Sequence, residues 1–212
     1  MLSQCHWFVQ APTLSRTYRN RLVHWEAVKR ILRYLKGTVG RRTDSWGEGC
    51  AYTEGDADAD WANDPSDRKS ISGYYFTLGE GAFVWKSLKQ QLTASSSTEA
   101  ECISLWTATK HVDHILCLLE ELGCPQQGPV EIFEDNKSTI AVCEMARPKS
   151  KHIDVKHCVV REKVTTGSIK LTFTKSCDMT ADVLTKGLPC PLFRAFRSAL
   201  GVSVDCRDSS TR

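Results

Sequence analysis

Acidic residues of this 212-residue chain gather where strands and helices should begin and end. Asp56, Asp58 and Asp60 close a first strand expected at 50–58. Glu99 and Glu101 open a long helical stretch. Glu134 and Asp135 end the short run PVEIFED, and Asp182 begins a last short helix. Carboxylates at the carboxyl ends of neighbouring strands, joined by one from a helix start, can converge on one point. Unpaired, they would repel strongly in a cleft of low dielectric. Divalent cations relieve that repulsion. Mg²⁺ takes oxygen ligands, keeps several waters, and needs one or two carboxylates per ion plus phosphate oxygens of a substrate. Two such ions, about 4 Å apart, can activate water and stabilise the leaving oxygen of a phosphodiester. Taken singly, each acid has a plainer reading as a solvated turn Asp or a helix-capping Glu.

The elements that must position these acids follow from periodicity and breakers. Residues 22–36 read as a helix with Trp25, Val28, Leu32 and Leu35 on one stripe and Gly37 as its stop. Residues 71–78 and 82–88 flank Gly79-Glu80-Gly81 and read as a hairpin. Residues 95–122 read as one long helix, and both Ser96-x-x-Glu99 and Thr98-x-x-Glu101 fit a capping box. A short strand is expected at 129–135, then helices at 136–146 and 152–166. The stretch 168–174 alternates cleanly and predicts a strand. A short helix is expected at 179–186. After an N-terminal helical segment the order is β-β-β-α-β-α-α-β-α, a mixed sheet with helices.

Composition is that of an ordinary globular protein: 41% hydrophobic and 25% charged residues exclude collagen, a pure coiled coil and full disorder. No apolar run is long enough for a membrane helix, and no membrane partner is expected. The N-terminus lacks the pattern of a secretory signal, so an intracellular location, cytoplasmic or nuclear, is expected. The ten cysteines form no CxxC pair and read as thiols of a reducing compartment. The spacing His111-x-x-His114-x-x-Cys117 falls on a Leu-rich helix and reads as packing rather than a zinc site. The net charge of +3 hides segregation. Residues 1–45 carry nine Lys/Arg against two Asp/Glu, residues 46–140 six against sixteen, and residues 141–212 thirteen against seven. An acidic middle between basic ends suits a metal-dependent enzyme acting on a polyanion, and equally a merely solvated surface.

Six segments, taken in order, resemble one family: HWEAVKRILRYLKGT (24–38), DADWANDPSDRKSISGYYFTLG (58–79), VWKSLKQQLTASSSTEAE (84–101), EDNKSTIAV (134–142), KSKHIDVKHCVVRE (149–162) and ADVLTKGL (181–188). Together they are similar to the C-terminal end of copia-type LTR-retrotransposon Pol polyproteins. That end is the ribonuclease H domain, preceded by the end of the reverse transcriptase. The resemblance implies an α/β, RNase H-like fold, a five-stranded mixed sheet with helices on both faces. It divides the chain into a helical remnant of the reverse transcriptase (1–45), the RNase H-like domain (46–188) and a partly irregular tail (189–212).

By motif, the resemblance assigns catalytic and metal-binding roles to Asp58, Glu101, Asp135 and Asp182, with Mg²⁺ or Mn²⁺, two ions, as cofactor. The order Asp, Glu, Asp, Asp fits RNase H and fits an integrase on the same fold poorly. It implies hydrolysis of the RNA strand of RNA–DNA hybrids, with the rest of a Pol polyprotein or reverse transcriptase as a further partner. Asn136, Lys137 and Ser138, and the basic residues Arg147, Lys149 and Lys151, are expected to contact nucleic acid. Trp61 and Trp85 read as stacking platforms or as packing, and His152 and His157 as packing or aids to product release. No Tyr-x-Asp-Asp polymerase motif occurs. Cys102, Ala57 and His157-Cys158-Val159 depart from the family pattern but spare the four acids. A degenerate remnant that only binds nucleic acid or protein is the alternative.

Overall fold

The computed structural model describes residues 21–38, 41–43, 52–144 and 154–204. Helix α1 (Arg21–Lys36) precedes β1 (Arg41–Thr43). The strands β2 (Glu54–Asp60), β3 (Ile71–Leu78) and β4 (Gly81–Lys89) are followed by the long helix α2 (Ser97–Glu121). Then come β5 (Val130–Glu134), α3 (Lys137–Glu144), α4 (Asp154–Thr165) and β6 (Ile169–Phe173). The single turn α5 (Asp182–Thr185), α6 (Cys190–Ala199) and β7 (Val202–Val204) complete the described chain. The main sheet has the order β4-β3-β2-β5-β6. β2, β3 and β4 pair antiparallel, whereas β2–β5 and β5–β6 pair parallel.

Helices cover both faces of this sheet. On one side Ala57, Tyr74, Phe76 and Ile132 pack against Leu105, Ala108 and Val112 of α2 and Val160 of α4. On the other, Tyr75 and Ala82 pack against Val183 and Leu184 of α5 and Phe193 and Phe196 of α6. β3 lies between the two layers, so all eight of its residues are buried, and ISGYYFTL shows no simple in–out alternation. β2 does alternate, but as Ala against Asp. Ala57 and Ala59 meet the helix α2 side, while Asp56, paired across the ladder with Tyr75, belongs to the opposite face. A strand whose second face is acidic carries little hydrophobic signal, which explains why 50–58 was expected and 54–60 is found.

α2 starts at Ser96. Its hydroxyl accepts the Glu99 backbone N–H, and the Glu99 carboxylate accepts the Ser95 N–H at 2.7 Å. Of the two Ser/Thr-x-x-Glu pairs the sequence offers, the first caps α2, its Glu99 carboxylate reaching past Ser96 to Ser95, and Glu101 is left to turn inward. His111 packs against the Tyr74 ring, with centroids 5.3 Å apart. Among the described residues no disulfide forms, and no helix is long and apolar enough to cross a membrane.

The first and last described elements meet. β1 pairs antiparallel with β7, and Tyr34 of α1 packs edge-on to Phe193 of α6 at 6.2 Å. The expected tail therefore holds a helix and a strand over 190–204. The apolar stripe of α1 stays largely uncovered: Trp25, Val28, Leu32 and Leu35 are all exposed.

Candidate metal centre at the open end of the sheet

The ladder between β2 and β5 ends at the Asp56–Phe133 pair. Beyond it the strands part. Asp58 lies two residues further along β2, and Asp135 two residues further along the β5 side. Carboxyl ends of parallel strands that stop hydrogen-bonding leave a crevice, the usual place for a site in an open α/β sheet. α2 crosses it. The buried Ser104 hydroxyl lies 2.7 Å from the Asp58 carbonyl oxygen and 3.2 Å from that of Gly73, pinning the helix over both strands. Glu101, almost one turn earlier on α2, then reaches the crevice.

Carboxylate oxygens of Asp58, Glu101 and Asp135 come within 4.8 Å of one another. Neighbouring ligands of an octahedral Mg²⁺ stand about 3 Å apart and opposite ones about 4.2 Å, from its usual metal–oxygen distance, so the three acids would draw closer together to share one such ion. The donor set is all oxygen, which suits a hard cation. Glu101 Oε2 is buried and has no hydrogen-bond partner, an orphaned acceptor that a cation would satisfy. Burial, and then the charges of Glu134, Asp58 and Asp135, push the Glu101 carboxyl well above its ordinary range. Such like-charge crowding is costly without a counter-ion.

Asp182 stands on the other side of Asp58. The two are joined by Lys186, whose Nζ lies 3.1 Å from Asp58 Oδ1 and 2.6 Å from Asp182 Oδ1. The Thr185 hydroxyl donates to Asp58 Oδ2. Burial and the Asp58 charge push the Asp182 carboxyl up to about 7, against the opposing pull of Lys186. Gly73, the cross-strand partner of Asp58, makes this approach possible by presenting no side chain to α5.

The four acids named from the sequence thus fall into two groups, three in one cluster and Asp182 tied to Asp58 through a lysine. Two neighbours, Lys186 and Thr185, escape the sequence reading, and a third, Glu134, is more deeply involved than its place at a strand end suggests. Lys186 follows Asp182 at i+4, a spacing that signals an ion pair, and the sequence offers no sign that it also reaches Asp58. Thr185 gives no signal at all. Glu134 was noted at the strand end, and it is fully buried. Its Oε1 accepts the Asn136 N–H at 3.2 Å while Oε2 is unpartnered. Burial holds its carboxyl well above the usual range.

The residues expected to touch nucleic acid are placed unevenly. Asn136 Oδ1 accepts the backbone N–H groups of Ser138 and Thr139, capping α3. The Asn136 and Ser138 N–H groups are therefore already engaged inside the protein. Lys137 is exposed beside the site, its Nζ 4.5 Å from the centroid of Phe173. Arg147, Lys149, Lys151, His152 and the side chain of His157 lie outside the described residues. Trp61 donates its ring N–H to the Ala94 carbonyl at 3.1 Å. Trp85 is exposed and lines a cavity of about 280 Å³ between α1, β4, α5 and α6.

The strand order, three antiparallel strands followed by two parallel ones with helices on both faces, is that of a ribonuclease H-like α/β fold. The top homologues of the chain, over 84% of its length, are copia-type retrotransposon Pol polyproteins. It is 38% identical over 181 residues to the Retrovirus-related Pol polyprotein from transposon TNT 1-94 of Nicotiana tabacum, covering 84% of this chain and 14% of that protein. It is 34% identical over 181 residues to the corresponding polyprotein from transposon RE2 of Arabidopsis thaliana, covering 84% and 12%. The chain spans about one seventh of the length of these relatives. No protein-family model matches it. Among solved structures, RNase H1 from Halobacterium salinarum NRC-1 overlaps with a TM-score of 0.45 at 14% identity, covering 63% of this chain and 94% of that one. LC11-RNase H1 in complex with RNA/DNA hybrid overlaps with a TM-score of 0.46 at 14% identity, covering 63% and 93%.

Proposed function

We propose that the chain is a divalent-cation-dependent ribonuclease H that hydrolyses the RNA strand of RNA–DNA hybrids. The observation that carries this reading is the convergence of Asp58, Glu101 and Asp135 at the open end of the sheet. The similarity to retrotransposon Pol polyproteins supports it.

Asp58, Glu101 and Asp135 would hold one Mg²⁺ or Mn²⁺, and Asp58 with Asp182 a second. Bound there, the ions would supply a deprotonated water for in-line attack and positive charge for the departing 3′ oxygen. The protein's part is positional. Ser104 fixes the Asp58 backbone, the Ser96 cap fixes the start of α2, and Glu134 anchors the turn that carries Asp135. Water adds to phosphorus, the bond to the 3′ oxygen breaks, and that oxygen leaves with a proton.

Selection of a hybrid would come from minor-groove shape and 2′-hydroxyl contacts rather than base edges. Lys137, on the rim of the site, is suited to a backbone phosphate. Asn136 and Ser138 stand beside it, and Arg147, Lys149 and Lys151 are assigned the same task from the sequence. A reverse transcriptase or the remainder of a Pol polyprotein is the proposed protein partner.

The test is cleavage of a labelled RNA–DNA hybrid with Mg²⁺ or Mn²⁺, alongside Asp135→Asn. Cutting of the RNA strand by the wild type, absent in chelator and absent in the variant, supports the enzyme and its site. No cutting by a folded wild type overturns it in favour of a binding-only remnant. Cutting that survives the substitution places the chemistry elsewhere.

A further inference from the structure

The acidic centre contains a basic residue at its heart. The Lys186 ammonium sits between Asp58, which is fully buried, and Asp182, contacting an oxygen of each. It occupies the space that a cation shared by these two carboxylates would need. The lysine is held there from several directions. Its own backbone N–H closes α5 by donating to the Asp182 carbonyl at 2.8 Å. α5 is seated on β3 where Gly73 offers no side chain. Thr185, the preceding residue, engages the other Asp58 oxygen. Its side chain is nonetheless about one-third exposed, so a long flexible stem has a route to solvent.

We propose that Lys186 is a tethered counter-ion. In the metal-free protein its ammonium closes the Asp58–Asp182 side of the centre, so that one divalent cation enters at Asp58, Glu101 and Asp135 and a second is excluded until Lys186 withdraws. This rests on the reading of the centre as a divalent-cation site, and it divides that centre into an open half and a guarded half. The logic is exclusion. A monovalent ammonium and a divalent ion that use the same two carboxylate oxygens cannot be bound together. The ammonium is supplied at high effective concentration by its own chain, whereas a free ion must be drawn from solution. A centre guarded in this way fills its second position only when something else, such as a substrate phosphate oxygen, contributes to holding the ion.

The experiment is a calorimetric Mn²⁺ titration of the full chain without nucleic acid, on the wild type and on Lys186→Met, with thermal melts in chelator and in saturating Mn²⁺. Methionine keeps length and removes the charge. The wild type should bind one ion per chain. Lys186→Met should bind two, melt at a lower temperature in chelator, and regain wild-type melting in Mn²⁺. Lys186→Arg, which keeps a cation, should bind one. Two ions on the wild type would overturn the proposal while leaving the ribonuclease reading intact, and this arm needs no variant to fold. An unchanged count and affinity in Lys186→Met would overturn it as well. Failure of both proteins to bind Mn²⁺ would instead remove the metal centre on which both readings stand.

Discussion

A β-carbon placed on Gly73 would stand 2.6 Å from the Thr185 methyl carbon and 2.8 Å from Leu184 Cβ. Backbone of β3 and side chains of α5 are thus in direct contact, on the strand position paired with Asp58. Gly73→Ala must therefore push α5 outward, and with it Thr185, Lys186 and Asp182. Overpacking of this kind costs about 1–3 kcal/mol, read by chemical denaturation. Thr185→Ser in the same background removes the clashing methyl but keeps the hydroxyl on Asp58. It should recover part of the loss, a coupling of about 0.5 kcal/mol or more. An alanine tolerated at position 73 without change in stability would show that α5 is not held where the contact implies.

Glu101 offers a second test, because its environment opposes the charge that function would require. Glu101→Gln removes one of three converging carboxylates and leaves the shape. In chelator the variant should be more stable than the wild type, by about 0.5–2 kcal/mol, the usual gain when a strained functional group is relieved. The wild type should gain stability on adding Mn²⁺, and the variant should gain far less. Paired melts in chelator and in Mn²⁺ read both effects. A variant that loses stability in chelator would mean that Glu101 is a structural acid rather than a ligand.

Much of this arrangement is legible in the residues, and the rest is hidden for identifiable reasons. α2 was expected at 95–122 and spans 97–121 because its caps and Gly123 are explicit. The hairpin of β3 and β4 follows from two β-rich runs around Gly79 and Gly81. β2 was displaced by four residues at its start because Asp, not an apolar residue, alternates with its alanines. Which glutamate caps α2 and which enters the site was undecidable locally, since Ser96 and Thr98 are equal candidates until α2 docks on β2 through Ser104. The lysine on Asp58 lies 128 positions away along the chain. No local pattern reports a contact of that range. The Lys186–Asp182 pair, four residues apart, was within reach.

α1 separates exposure from packing within one helix. Leu32, on the apolar stripe, is 55% exposed, whereas Tyr34 meets Phe193 edge-on. Tyr34→Ala should cost about 1–3 kcal/mol, because an aromatic pair and the cover of α6 are lost together. Leu32→Gln should stay within about 0.5 kcal/mol and should reduce self-association at high concentration, since an uncovered apolar stripe is a contact surface. Denaturation and sedimentation velocity separate the two. Equal destabilisation by both substitutions would mean that the stripe is covered after all.

Asp56 carries the clearest pH dependence. It lies on β2 among buried neighbours, accepting the Tyr75 hydroxyl at 2.9 Å and the Thr180 N–H at 3.1 Å. Burial outweighs those hydrogen bonds and pushes its carboxyl from 3.8 up to about 6. The sign follows from linkage. The folded state holds this proton more tightly than the unfolded chain, so stability from this group is complete below the unfolded value and is lost as pH rises through about 6. Two pK units correspond to roughly 3 kcal/mol as an upper bound. Asp56→Asn keeps an oxygen for both donors and cannot ionise. In chelator it should match the wild type at pH 4, exceed it at pH 8, and flatten the decline between them. Denaturation midpoints at those two pH values read the difference directly. A variant less stable at pH 8 would mean that the charged carboxylate, with its two donors, is the form the fold prefers.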